Sequence, residues 1–210
     1  MYHPVSKSFL YCAIMLQVEF IDEFDKRHIA TGTGFILSRN KDFLGVVTNR
    51  HVVDAKYSDS RKLQWRVDAV RFRAFRLDGT VAEYSFVDPK FHFPTLQDED
   101  VALISADSFT VGLDTGAGPL IDVDVSFLAD SEYFNELNPG DFVTFSGFPE
   151  WKDRASGRPI LRSGILSSDP SYDYTGPTQD PGARRIAIEA FSYSGSSGSP
   201  VFALACGLKL

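Results

Sequence analysis

Methionine, tryptophan and cysteine are scarce in this 210-residue chain, two of each, and histidine occurs only four times. Cys12 and Cys206 lie at opposite ends. Two cysteines make no disulfide framework, and they read as buried or idle thiols. No metal-ligand spacing joins the cysteines and histidines, so no metal site and no cofactor are expected. Helical periodicity is nearly absent, and no apolar run is long enough to span a bilayer. Phe9–Leu16 has the length of a signal-peptide core behind Lys7. No small-residue cleavage site follows it, and Gln17-Val18-Glu19-Phe20 alternates like a strand. The expectation is a cytoplasmic protein without a membrane partner.

Positive charge is also in short supply. The formal net charge is −7, so no overall field attracts a phosphate backbone, and no nucleic-acid partner is expected. One local exception is Arg61, Lys62, Arg66, Arg71, Arg73 and Arg76, interleaved with Trp65, Phe72 and Phe75. In an acidic chain this reads as a solvated strand face rather than a nucleic-acid stripe.

What is abundant points to strands and turns: 18 Phe, 16 Gly and 11 Pro, with many Val, Thr and Tyr. Strand-like runs fall at Tyr11–Phe20, His28–Leu37, Leu44–Asn49, Val67–Phe75, Thr80–Val87 and Val101–Ile104. Others follow at Phe142–Ser146, Ile160–Leu166, Ile186–Ala190 and Val201–Ala205. Turn signals such as Asp78-Gly79 and Asn138-Pro139-Gly140 separate them. The pattern predicts an all-β protein with an N-terminal barrel over 1–111, a linker at 112–119 and a C-terminal barrel over 120–210. Ser168–Arg184, rich in Pro, Gly, Asp, Ser and Thr, is expected to be a long exposed loop.

Three short segments carry chemistry. In Gly195-Ser196-Ser197-Gly198-Ser199-Pro200, glycines flank Ser197 at −2 and +1. Their conformational freedom lets amide N–H groups turn towards one hydroxyl, so Gly195 and Ser197 are candidate oxyanion-hole donors. In Val46-Val47-Thr48-Asn49-Arg50-His51-Val52-Val53 a strand runs directly into His51. In Asp98-Glu99-Asp100-Val101-Ala102-Leu103 only Asp100 abuts the apolar run, and a carboxylate drawn inside needs a partner such as an imidazole N–H. Taken singly, these segments read equally as a flexible turn, a structural histidine and a charged strand entrance.

Their order resembles the chymotrypsin-like serine peptidases, specifically the bacterial branch related to the HtrA (Deg) proteases. Thr31-Gly32-Thr33-Gly34-Phe35 is similar to that family's Gly-Thr-Gly-Phe strand, and Asn138–Pro149 to its Pro-Gly-Asp…Gly-Phe-Pro segment. The resemblance implies two six-stranded-type β-barrels and a serine endopeptidase acting on protein or peptide through an acyl-enzyme. It implies His51, Asp100 and Ser197 as the catalytic triad. It also places a pocket floor at Phe191, with Ser192 and Tyr193 beside it. No carboxylate stands there to receive Lys or Arg, so small or apolar substrate side chains are expected. The family's fold continues for at least two strands beyond the point where this sequence stops. The second barrel is therefore expected to be truncated here and the chain to be part of a longer protein, with room for a C-terminal domain or partner chain.

Other readings compete with this one. Asp114-Thr115-Gly116-Ala117 looks like the signature of retroviral-type aspartic peptidases, but that chemistry needs two such aspartates and one copy is present. A protease-like protein-binding module, inactive without the missing strands, is the non-enzymatic alternative.

Overall fold

The computed structural model describes residues 6–96, 98–114, 119–150, 155–175 and 185–203. Strands dominate: β1 (Ala13–Ile21), β2 (Arg27–Arg39), β3 (Asp42–Thr48), β4 (Arg66–Phe75), β5 (Val81–Phe86), β6 (Phe91–His92) and β7 (Ala102–Ser105) come first. After them run β8 (Phe109–Asp114), β9 (Asp122–Asp124), β10 (Phe142–Gly147), β11 (Ile160–Leu166), β12 (Ile188–Ala190) and β13 (Val201–Ala203). The first nine form one sheet in the order β6-β7-β3-β2-β1-β4-β5-β8, with β9 joining β2 in parallel. The last four form a second sheet in the order β12-β11-β10-β13. The all-β architecture is the one the alternating runs predict. Among the described residues both sheets stay open rather than closing into barrels.

The period-2 side chains of central strands build the first core. Ile14, Leu16, Val18 and Phe20 of β1 are all at most 4% exposed, as are Val70, Phe72 and Ala74 of β4 opposite them. Burial of each large side chain stabilises the fold by roughly 1.5–3 kcal/mol, which is why the centre of the sheet is the pairing of β1 with β2 and β4. Thus the N-terminal apolar run enters the core as a strand. Just before it, Lys7–Tyr11 forms a one-turn helix, α1, capped by the Ser6 hydroxyl, where Tyr11 was expected to begin a strand.

Short elements account for the other differences. Helix α2 (Arg50–Val53) and helix α3 (Ala55–Ser58) follow β3, and helix α4 (Ser131–Glu136) starts where Asp130 accepts a hydrogen bond from the Tyr133 amide at 2.9 Å. Strand β8 runs into the expected linker as far as Asp114, and β9 lies in the first sheet. The Thr115–Ala117 part of the aspartic-peptidase-like signature lies outside the described residues, as do Cys206 and residues 176–184 of the expected loop. The described part of that loop, after Ser168, is made of bends and turns. Of the basic cluster, Arg61, Arg66, Arg71 and Arg73 pair with Asp59, Asp25, Glu19 and Glu83, and Arg76 is buried at 4% exposure.

Candidate active site

The pairing of β3 with β7 brings His51 and Asp100 together. Thr48 lies opposite Ala102 in that antiparallel ladder. Residues just after Thr48 and just before Ala102 therefore leave the sheet at the same end. There the chain turns through Asn49 into α2, whose Val52 and Val53 are 3% and 2% exposed and pull the turn into the core. His51, one position earlier, is left at the surface with its side chain 35% exposed.

Asp100 holds this histidine twice. Its Oδ1 accepts from the His51 backbone N–H at 2.9 Å, and its Oδ2 lies 2.6 Å from His51 Nδ1. The Asn49 side chain donates to the Asp100 carbonyl at 2.5 Å, fixing the carboxylate's own backbone. Such an arrangement keeps the proton on Nδ1 and leaves Nε2 as the basic nitrogen. Behind it, Arg50 is fixed by Asp54 at 3.0 Å and stacks on Tyr57 and Phe93, 4.8 and 4.6 Å from their ring centroids. These contacts hold the Arg50 side chain against the turn that carries His51.

Ser197 comes from the other sheet, in the turn between β12 and β13, and that turn docks on β2. The Thr33 amide donates to the Ser197 carbonyl at 2.8 Å. The fully buried Thr33 hydroxyl donates to the Gly195 carbonyl at 2.8 Å and accepts from the Phe148 amide at 3.0 Å. Beneath it, Thr48 donates to the Thr33 carbonyl at 2.7 Å. Gly195 and Gly198 have φ of 89° and 87°, and a Cβ on Gly198 would overlap the Thr33 carbonyl oxygen. Only glycine reconciles that backbone with so close an approach. Gly32 marks the meeting point: a Cβ there would lie 2.8 Å from the Val52 side chain and 3.4 Å from the Ser197 carbonyl. The serine turn and the histidine turn therefore pack over the same glycine.

The family model for the trypsin-like peptidase domain matches residues 32–207. The chain belongs to that family. The structure of an HtrA-type protease, AlgW, with a tripeptide aligns at a TM-score of 0.54 and 15% identity, over 94% of this chain. The chain spans about half of that protein, 49% of its length. No curated protein matches the sequence.

Within this trypsin-like domain the Gly195 and Ser197 amides make no hydrogen bond to another described residue. No hydrogen bond joins the His51 ring to the Ser197 hydroxyl. In unliganded enzymes such contacts are commonly long and tighten on substrate binding. Phe191, Ser192 and Tyr193 are all exposed. Phe191 edges a shallow groove of about 390 Å³ with Phe142, Ile165 and Glu189. By strand alternation Ser163 and Ile165 put this groove on one face of β11, and Arg162 lies on the other.

The residue that sequence reasoning missed is Arg162. Its Nη2 donates to the Ser196 hydroxyl at 2.7 Å and its Nη1 to the Phe191 carbonyl at 3.5 Å. Its guanidinium lies 4.8 Å from the Phe145 ring centroid. It therefore braces both ends of the segment leading to Ser197. Among the described residues no group of three or more His, Cys, Asp or Glu could hold a metal ion.

Proposed function

We propose that this chain carries the catalytic centre of a serine endopeptidase, with Ser197 as nucleophile, His51 as general base and acid, and Asp100 as the group that orients and charge-balances the imidazole. The observation that carries the reading is the double hold of Asp100 on His51, at 2.9 and 2.6 Å. That turn packs over the same glycine as the carbonyl of Ser197. Membership of the trypsin-like peptidase family supports it.

Each role follows from chemistry at a named atom. With Nδ1 protonated against Asp100, Nε2 takes the Ser197 hydroxyl proton as Oγ attacks a peptide carbonyl carbon. The carbonyl oxygen becomes an oxyanion, for which the uncommitted Gly195 and Ser197 amides are the donors, each worth roughly 10²–10³ in rate. His51 returns the proton to the departing amine, leaving an acyl-enzyme on Oγ. Water, deprotonated by the same Nε2, releases the acid product.

The experiment is hydrolysis of denatured casein by the purified protein and by Ser197→Ala and His51→Ala. Both substitutions are expected to lower turnover by at least about 10³ with the fold retained. Undiminished hydrolysis by Ser197→Ala would reject the assignment. A parent protein that binds casein without cleaving it would favour the protein-binding alternative.

A further inference from the structure

Arginines in this chain are generally matched to carboxylates: Arg50 to Asp54, Arg61 to Asp59, Arg71 to Glu19, Arg73 to Glu83 and Arg185 to Asp98. Among the described residues Arg158, which donates to the Tyr11 hydroxyl and the Gly79 carbonyl, lacks such a match, and so does Arg162, although the chain carries 28 acidic residues. The Arg162 Nε is buried and makes no hydrogen bond. Burial pushes its pKa below the ordinary arginine value, with a smaller opposing contribution from Tyr193. One face of the guanidinium is set against Phe145, and two of its five N–H groups are used on Ser196 and Phe191. Besides the buried Nε–H, one further N–H on each Nη is uncommitted among the described residues, on a charge that lies next to the residue preceding the nucleophile.

Position gives this charge a use. The family resemblance places the primary specificity pocket at Phe191, Ser192 and Tyr193, and Arg162 contacts the carbonyl of the first of these and the Ser196 hydroxyl three residues beyond the last. A neutral side chain brought there would leave the cation uncompensated, whereas a carboxylate would form charge-assisted, potentially bidentate hydrogen bonds. Building on the peptidase reading above, we propose that Arg162 is a specificity-determining residue, selecting substrates with Asp or Glu on the acyl side of the scissile bond. This replaces the preference for small or apolar side chains expected from Phe191, Ser192 and Tyr193. Those residues are neighbours in sequence, whereas Arg162 reaches the same place from β11.

The test uses internally quenched peptides differing only at that residue, Glu, Gln, Ala or Lys, with the parent protein, Arg162→Met and Arg162→Lys. Melting curves confirm that each variant is folded. For the parent, kcat/KM for the Glu peptide is expected to exceed that for its isostere Gln by about tenfold or more. In Arg162→Met the Glu/Gln ratio is expected to fall to about one, and Arg162→Lys is expected to keep part of it. Three results overturn the proposal: equal or better cleavage of Gln by the parent, a Met variant that slows every peptide by one common factor, or a Lys variant no more selective than Met. The second would mean that Arg162 only braces the loop. Fluorophosphonate labelling separates the two claims. A parent labelled at Ser197 but indifferent to Glu fails only the specificity claim, whereas one that is neither labelled nor active on any peptide fails the peptidase reading and this inference with it.

Discussion

Replacing Asp100 with Asn changes one charge and almost no volume, so it isolates the role assigned to the carboxylate. Oδ1 accepts from the His51 amide at 2.9 Å, and Oδ2 faces Nδ1 at 2.6 Å. An Asn that keeps its carbonyl oxygen on the His51 amide must turn its NH2 towards Nδ1. Nδ1 then becomes the acceptor and the ring proton moves to Nε2, which can no longer take a proton from Ser197. In triads of this kind the swap costs on the order of 10⁴ in turnover, or about 5 kcal/mol of barrier. The cost to the fold is far smaller. Both side chains are 35% exposed, so water screens the lost charge. About 1 kcal/mol is expected, a fall in Tm of about 2–4 °C. Casein hydrolysis and thermal unfolding, measured on the same preparations, should therefore diverge. An Asn variant that melts normally and cleaves within about tenfold of the parent would refute the tautomer argument.

Two further outcomes follow from groups that connect the fold to the site. Thr33→Val preserves shape but removes the hydroxyl bound to the Gly195 carbonyl and the Phe148 amide. Leaving both groups unpaired should cost roughly 2–5 kcal/mol and slow the labelling of Ser197, and an unchanged Tm would contradict it. Burial pushes the Cys12 thiol from about 9.0 up to about 11, so the folded state favours the neutral form. Its contribution is intact below pH 9 and is lost as pH rises towards 11, because the unfolded thiol ionises first. Between these limits the parent should lose on the order of 2 kcal/mol more stability than Cys12→Ala, and parallel denaturation curves for the two proteins would contradict it.

The sequence revealed most where the signal is local. Alternation at Gln17–Phe20 and the run Ile160–Leu166 reads directly as strand, because period-2 burial leaves its imprint on neighbouring residues. The turns around His51, Asp100 and Ser197 were legible for the same reason, each a strand end with a distinctive neighbour. What escaped depends on partners distant in the chain. Asp122–Asp124 is one valine between two acids, and it becomes a strand only because β2 offers it a parallel edge. Phe91–His92 needs β7 in the same way. The start of α4 could have been found, since an Asp followed by Ser-Glu is an ordinary helix entrance. Arg162 could not. Its importance comes from lying opposite Phe145 in the β10–β11 ladder while the segment 191–196 folds back across it. No spacing along the chain encodes that.

The most direct measurement of the central claim is reaction with a fluorophosphonate followed by mass mapping of the modified residue, in the parent and in His51→Ala. One adduct on Ser197 in the parent, lost or slowed by several orders of magnitude in His51→Ala, is the expected result. An adduct elsewhere, or equally fast labelling of Ser197 without His51, would contradict the account.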